Sequence, residues 1–384
     1  MINANIKPDF YDEFICIADK CTFTCCQEWK IAVDDETFSK WQQTPVPEGE
    51  KEKMLCTCTT IKDDGRVIQL NDKKRCPFLQ GDELCKLVLT YGDEILSETC
   101  AMFPREIHDF EDRKEYALMP CCPAVIDFLK DRKFQLATSN YGVEMEEKNL
   151  LFQIRKFFME LMAEKGRKPE EAFLMIFYLA LELLEREAEG VLQGGTLHDL
   201  REDGTLLQLE AAIRDMETDV VDTFYECSEL FLDLVENYRK EGLYEKHLEK
   251  PAKIAEQILA GELLTEDEIE AKWHEFLPVW QEYEPLWRNF LLEEIYADCL
   301  MPQGDLESMV MKLQWIAMEY VIIRQMVFLR WQQKGQVSYE EIRDCMVVAC
   351  RMMGYDEEDV EEYLSNSFEE LIWEWGYFAL IMGK

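Results

Sequence analysis

The sequence predicts a mainly α protein built from two unlike parts. A small cysteine-rich, α-rich N-terminal domain with a minor β-hairpin is expected over residues 1–135, followed by an acidic all-helical bundle or array over 136–384. Three observations carry this. Eleven of the fifteen cysteines fall in the first 122 residues. Beyond them, apolar residues recur at three- and four-residue spacing, the signature of helices with one buried face. Helix-starting and helix-stopping residues punctuate that second part at short intervals.

In the first part, residues 30–33 of "EWKIAVDDETFSKW" read as a short strand, and a helix opens near Asp34. "GRVIQL" (65–70) is a second strand candidate, paired in a hairpin with "EKMLCTCTTI" around "KDDG". "DELCKLVLTYGDEIL" (82–96) and "PAVIDFLKD" (123–131) read as short helices. The composition changes around "DRKFQLATSNYGVE", at 130–145. After it, Leu150, Leu151, Ile154, Phe157, Phe158, Leu161 and Met162 mark one helical face. The next helix starts near Pro169, whose missing N–H has no partner in a first turn anyway, and stops near Gly190. "TEDE" (265–268) and "SYEE" (338–341) are capping boxes, in which a hydroxyl and a carboxylate satisfy each other's backbone N–H groups. Gly354 ends one late helix, and one or two more follow it. Trp273, Trp280, Trp287, Trp315, Trp331, Trp373 and Trp375 are expected in or beside the helical core.

The charge balance is extreme: 41 basic residues against 79 acidic give −38. Residues 1–130 hold 16 basic and 25 acidic residues and the remainder 25 and 54, so the field belongs mainly to the helices. Such a surface repels phosphate backbones and anionic lipid, which argues against nucleic-acid and membrane partners. It favours encounter with a basic segment such as a lysine-bearing protein surface. No run of eighteen apolar residues or signal-peptide pattern is present, so a cytoplasmic setting is expected, where lasting disulfides are rare.

The cysteines are spaced Cys21-x3-Cys25-Cys26, then Cys76-x8-Cys85-x14-Cys100, then Cys121-Cys122. A disulfide framework needs an oxidising compartment. A catalytic thiol needs a histidine, and His108, the sole one in this half, would account for one cysteine out of eleven. Metal binding accounts for the set. Thiolates select zinc, copper(I) or iron–sulfur clusters. The lack of paired C-x2-C knuckles weighs against zinc, and cysteines arriving singly suit a four-thiolate cubane, but spacing leaves both open. Cys21 and Cys25 are expected on one helical turn. Cys56 and Cys58 are expected on one face of a hairpin strand, as packing or as ligands. Pro77, Phe78, Phe103, Pro104 and Trp29 would wall the site, and Arg105 would pair with a ligand carboxylate or offset cluster charge. Cys227, Cys299, Cys345 and Cys350 read as small core residues.

"CIADKCTFTCCQEWKIAVD" (16–34), "CPFLQGDELCKLVLTYGDEILSETCAMFPR" (76–105) and "LMPCCPAV" (118–125) together resemble the flagellin lysine-N-methylase family over about residues 10–130. The resemblance implies methyl transfer from S-adenosylmethionine to lysine ε-amines of flagellin, and a four-iron cluster. Carried over by motif, the ligand candidates are Cys21, Cys25, Cys26, Cys76, Cys85, Cys100 and Cys122. Two departures stand out: Cys121 is extra, and Ala124 replaces a commonly acidic residue. With no glycine-rich loop after a strand, the donor would need a pocket unlike the Rossmann type, with the cluster or Arg105 near its polar end. No base is singled out among Tyr91, Tyr116, His108 and several glutamates. The competing expectation is a non-enzymatic zinc- or iron–sulfur-binding, redox-responsive interaction module.

Overall fold

The computed structural model describes residues 4–45, 47, 54–62, 65–139, 149–202, 204–354, 357–368, 371 and 373–383. Among these, six strands form two sheets: β1 (Ala4–Pro8), β2 (Thr59–Lys62), β3 (Gly65–Ile68), β4 (Arg105–Asp109), β5 (Arg113–Leu118) and β6 (Leu136–Ser139). β2 and β3 make the expected hairpin, whose residues 63–64 lie outside the described set. The other four form a mixed sheet of order β4–β5–β1–β6, with β1 parallel to β5 and antiparallel to β6. This sheet was not foreseen by the single minor hairpin expected from sequence. The domain boundary expected after residue 135 falls just before β6, and residues 140–145 of the expected transition lie outside the described residues.

The sheet escapes a sequence reading because its inward positions are charged. In β5 the buried alternate positions are Arg113, Glu115 and Ala117. Glu115 is held by Arg155 at 2.6 and 2.7 Å, and the Arg113 guanidinium lies 3.7 Å from the centre of the Phe152 ring. Ionic partners from the helix Leu150–Ala163 thus replace the apolar side chains that normally betray an inward face.

Three further local expectations are corrected. Residues 30–33 contribute a single bridge, Ala32 to Val67, rather than a strand. Cys21 and Cys25 share no helical turn: a 3-10 turn at Ala18–Lys20 ends at Cys21, and bends follow. Cys56 belongs to the short helix Met54–Thr57 and Cys58 to the turn after it, so neither stands on a strand.

The helices follow the sequence closely. Leu150–Ala163 starts from Asn149, whose side chain accepts from Leu151 N at 2.9 Å. Pro169–Ala188 opens on its proline, and Thr265 and Ser338 form the capping boxes with Glu268 and Glu341. The central element is Leu306–Lys334, buried on nearly every side because other helices surround it. Trp273, Trp280, Trp287, Trp315 and Trp331 are buried, with Trp373 and Trp375 packed alongside. No helix among the described residues is long and apolar enough to cross a membrane.

The helix Glu284–Ala297 fastens this array to the N-terminal part through polar side chains. Asn289 accepts from Phe134 N and donates to the carbonyls of Leu129 and Arg132. The Tyr296 hydroxyl donates to Ile6 O at 2.9 Å, and Glu293 accepts from Leu118 N at 3.1 Å. Full burial lifts the Glu293 carboxyl from 4.5 to about 8, because that one N–H does not replace lost water. The sign follows from the raised folded value. Between pH 4.5 and about 8 the unfolded chain gives up this proton and the folded chain keeps it, so stability falls as pH rises. Glu293→Gln removes that titration. In urea melts at pH 5 and pH 8 the variant should lose less stability than the parent on going to pH 8, by at least about 1.4 kcal/mol.

Candidate metal centre

The cysteine segments are laced together by their backbones before any side chain is considered. Cys76 N donates to Cys26 O at 2.8 Å and Glu28 N to Lys74 O at 2.8 Å, which sets Cys26 against Cys76. Lys86 N donates to Phe78 O, folding Cys85 back beside the Cys76–Phe78 segment. Cys85 and Cys122 are the N-cap residues of the helices Lys86–Tyr91 and Pro123–Asp131, and Cys100 lies in the first turns of Glu98–Met102, capped by Ser97. Three thiols therefore sit where unpaired backbone N–H groups favour a thiolate.

These segments enclose one cavity of about 490 Å³. Cys21, Cys25, Cys26, Cys76, Cys85, Cys100 and Cys122 all line it, as does Arg105. Trp29, Phe78, Phe103 and Pro104 supply apolar wall; Trp29 meets Phe103 edge-on at 4.8 Å and donates to Cys25 O at 2.5 Å. Pro77 does not line it, and neither do Cys56, Cys58 or Cys121. An eighth thiol, Cys16, does; its only signal in the sequence was its place in the "CIADKC" block.

Burial pushes the thiols up: Cys76 to about 12, Cys100 and Cys122 to about 11, and Cys85 upward as well. The neighbouring Cys26 thiolate adds to this at Cys76, Cys85 and Cys100, which places it among these three. Cys25 donates a hydrogen bond to Cys26, lowering the Cys26 pKa and raising its own. At the other end Cys21 adds to the upward shift of Cys122. Among the described residues no three His, Cys, Asp or Glu side chains close around a single-ion point. The thiols instead surround a space of polyatomic size, and an all-sulfur donor set of this kind suits a cluster held by four thiolates.

Arg105 reaches the wall, where its guanidinium donates to Phe14 O at 2.9 Å and lies 4.9 Å from the Phe14 ring centre. Tyr91, Tyr116 and His108 lie outside the cavity lining. The carboxylates in that lining are Glu83, paired with Arg75, and Asp93.

Arg351, from the helix Tyr339–Met353, was not singled out by sequence; it does not line the cavity but binds the loops that carry its cysteines. It donates to Cys121 O, Thr24 O and Phe23 O at 3.1, 3.2 and 3.1 Å. Its guanidinium lies 4.7 Å from the Phe23 ring centre, and it favours the ionised form of Cys21, Cys26 and Cys122. The sequence model of the FliB lysine N-methylase C-terminal domain matches residues 155–381, more than half of the chain and the part that carries this arginine.

The chain belongs to the FliB lysine N-methylase family.

Relatives of this family agree over a shorter stretch. A lysine-N-methylase of Salmonella typhimurium is 29% identical over 122 residues, 31% of this chain and 30% of that protein. One from Salmonella choleraesuis matches to the same extent. The flagellar biosynthetic protein FliU of Salmonella muenchen is 28% identical over 122 residues, 72% of its own length. The aligned region thus spans under a third of the lysine-N-methylases it matches. No solved structure matches.

Within this FliB-family site the three carbonyls that Arg351 gathers come from two loops far apart in sequence. A lysine presents one point charge and cannot span them. In hydrogen exchange on the metal-free protein, Arg351→Lys should speed exchange of the amides in residues 21–28 by about tenfold or more, while the helix Leu306–Lys334 keeps its protection.

Proposed function

We propose that the protein is an S-adenosylmethionine-dependent lysine N-methyltransferase acting on flagellin, with an iron–sulfur cluster held by the cavity thiols. The observation that carries this is the convergence of seven motif cysteines on one cavity in a chain of the FliB lysine N-methylase family. The flagellar name of FliU and the lysine-N-methylase name of the other relatives support the substrate. The acidic surface favours encounter with a lysine-bearing partner, and free thiols in this number suit a reducing cytoplasm.

Cys26, Cys76, Cys85 and Cys100 form the best ligand quartet, with Cys21, Cys25 and Cys122 at its margin. A bound cluster would supply redox-capable, electron-accepting iron. The chain's own residues do the rest. Trp29, Phe78 and Phe103 exclude water and disfavour the ammonium form of an entering lysine. Arg105 stands at the wall to hold the donor's carboxylate once a ligand competes with Phe14 O. Methyl transfer forms a carbon–nitrogen bond as the carbon–sulfur bond breaks, so the amine must first lose a proton; Asp93 is the wall carboxylate placed to receive it.

Anaerobic purification should yield about four iron and four sulfide per chain. Labelled S-adenosylmethionine with flagellin should then give methylated lysine. Cys76→Ser and Cys100→Ser should lose most of the iron, whereas Cys56→Ser and Cys58→Ser should retain it. Zinc without iron or sulfide would overturn the cluster. Iron and sulfide with no methylated lysine would point instead to a non-enzymatic metal-binding module.

A further inference from the structure

β4 is an edge of the four-stranded sheet: β5 pairs with one side, and an open groove of about 710 Å³ lies along the other. The phase of its hydrogen bonds decides what faces that groove. Phe110 N donates to Arg113 O and Met119 N donates to Pro104 O, both at 2.9 Å. Alternate residues of an antiparallel strand turn their backbone groups to the partner, so Glu106 and His108 address β5. Arg105 and Ile107 turn theirs outward. A strand edge with free N–H and C=O groups is a template for one more strand.

The side chains around this edge suit a particular kind of strand. Ile107 is 42% exposed, and across the groove Ile61 of β2 is 62% exposed. Asp34, Asp35, Glu98 and Glu106 bring four carboxylates to it. The two guanidiniums present are committed elsewhere: Arg66 lies 3.5 Å from the Phe38 ring centre and donates to Thr59, and Arg105 donates to Phe14 O. Groove and thiol cavity are neighbours, with Thr99 and Arg105 in the walls of both.

We propose that β4 binds an extended, lysine-rich segment of the protein substrate as an added strand, which leads a target lysine to the thiol cavity. This rests on the methyltransferase reading for the fate of that lysine. Side chains on an extended strand alternate, so apolar residues meet Ile61 and Ile107 while lysines meet the carboxylates. Backbone pairing supplies affinity without demanding a fixed sequence.

The test uses the full-length protein and a fluorescein-labelled twelve-residue peptide in which lysine alternates with valine and threonine, followed by anisotropy. Its glutamate counterpart should bind at least about tenfold more weakly, and so should the lysine peptide with alternate backbone amides N-methylated. Ile107→Pro removes an outward N–H but no β4–β5 bond and should weaken binding similarly; Asp35→Lys with Glu98→Lys should weaken it and flatten its salt dependence. Equal binding of the N-methylated peptide, or of the glutamate peptide, overturns the proposal without any variant needing to fold. Methyl transfer is scored separately. Peptide bound in this way but never methylated sinks the methyltransferase reading and leaves the docking; methylation indifferent to backbone N-methylation does the reverse.

Discussion

The guanidinium of Arg351 joins the helical array to the thiol cavity. A buried cation is tolerable only when its donors are satisfied, and here each of the three guanidinium nitrogens donates to a carbonyl of the cysteine-bearing loops. The need runs both ways. Segments as short and irregular as residues 16–29 pair few of their own backbone groups, and the rest must find partners when buried. Asn289, Glu293 and Tyr296 repeat the pattern along the helix Glu284–Ala297, serving backbone groups near Phe134, Leu118 and Ile6. The helices thus provide more than a scaffold: they complete hydrogen bonding that the N-terminal part lacks.

Electrostatics divides the molecule along a different line. The acidic excess lies mostly beyond residue 130, on solvated helix faces. The cavity is walled by aromatic rings and thiols, with carboxylates confined to Glu83 and Asp93. A cationic partner is attracted by the first environment and must shed its charge in the second. The two environments meet where the acidic groove shares Thr99 and Arg105 with the cavity.

Much of this was legible in the sequence, for identifiable reasons. Helix positions followed from local signals, as at Asn149–Met162 and the Thr265 and Ser338 caps, because burial periodicity and capping act within a few residues. The seven cysteines were carried over from the resemblance of their three sequence blocks to the family, and all seven line one cavity. The sheet was not, since β1 and β5 pair across more than a hundred residues and β5 turns Arg113 and Glu115 inward. The irregular path around Cys21–Cys26 was hidden because the positive φ of Ala18 and Glu28 on either side of it falls on residue types that do not announce it. Arg351 looked like any helical arginine, since its partners lie 230 to 328 residues away.

That last separation governs how the molecule is made. A ribosome delivers the thiol loop at residues 21–26 long before the arginine that pins it, 327 positions later in the case of Thr24. Throughout that interval the cysteines are present and the arginine that fixes their loops is not. Every residue that lines the cavity precedes residue 125, so the wall is encoded early and three of its backbone carbonyls gain their partner only once the helix Tyr339–Met353 has been made.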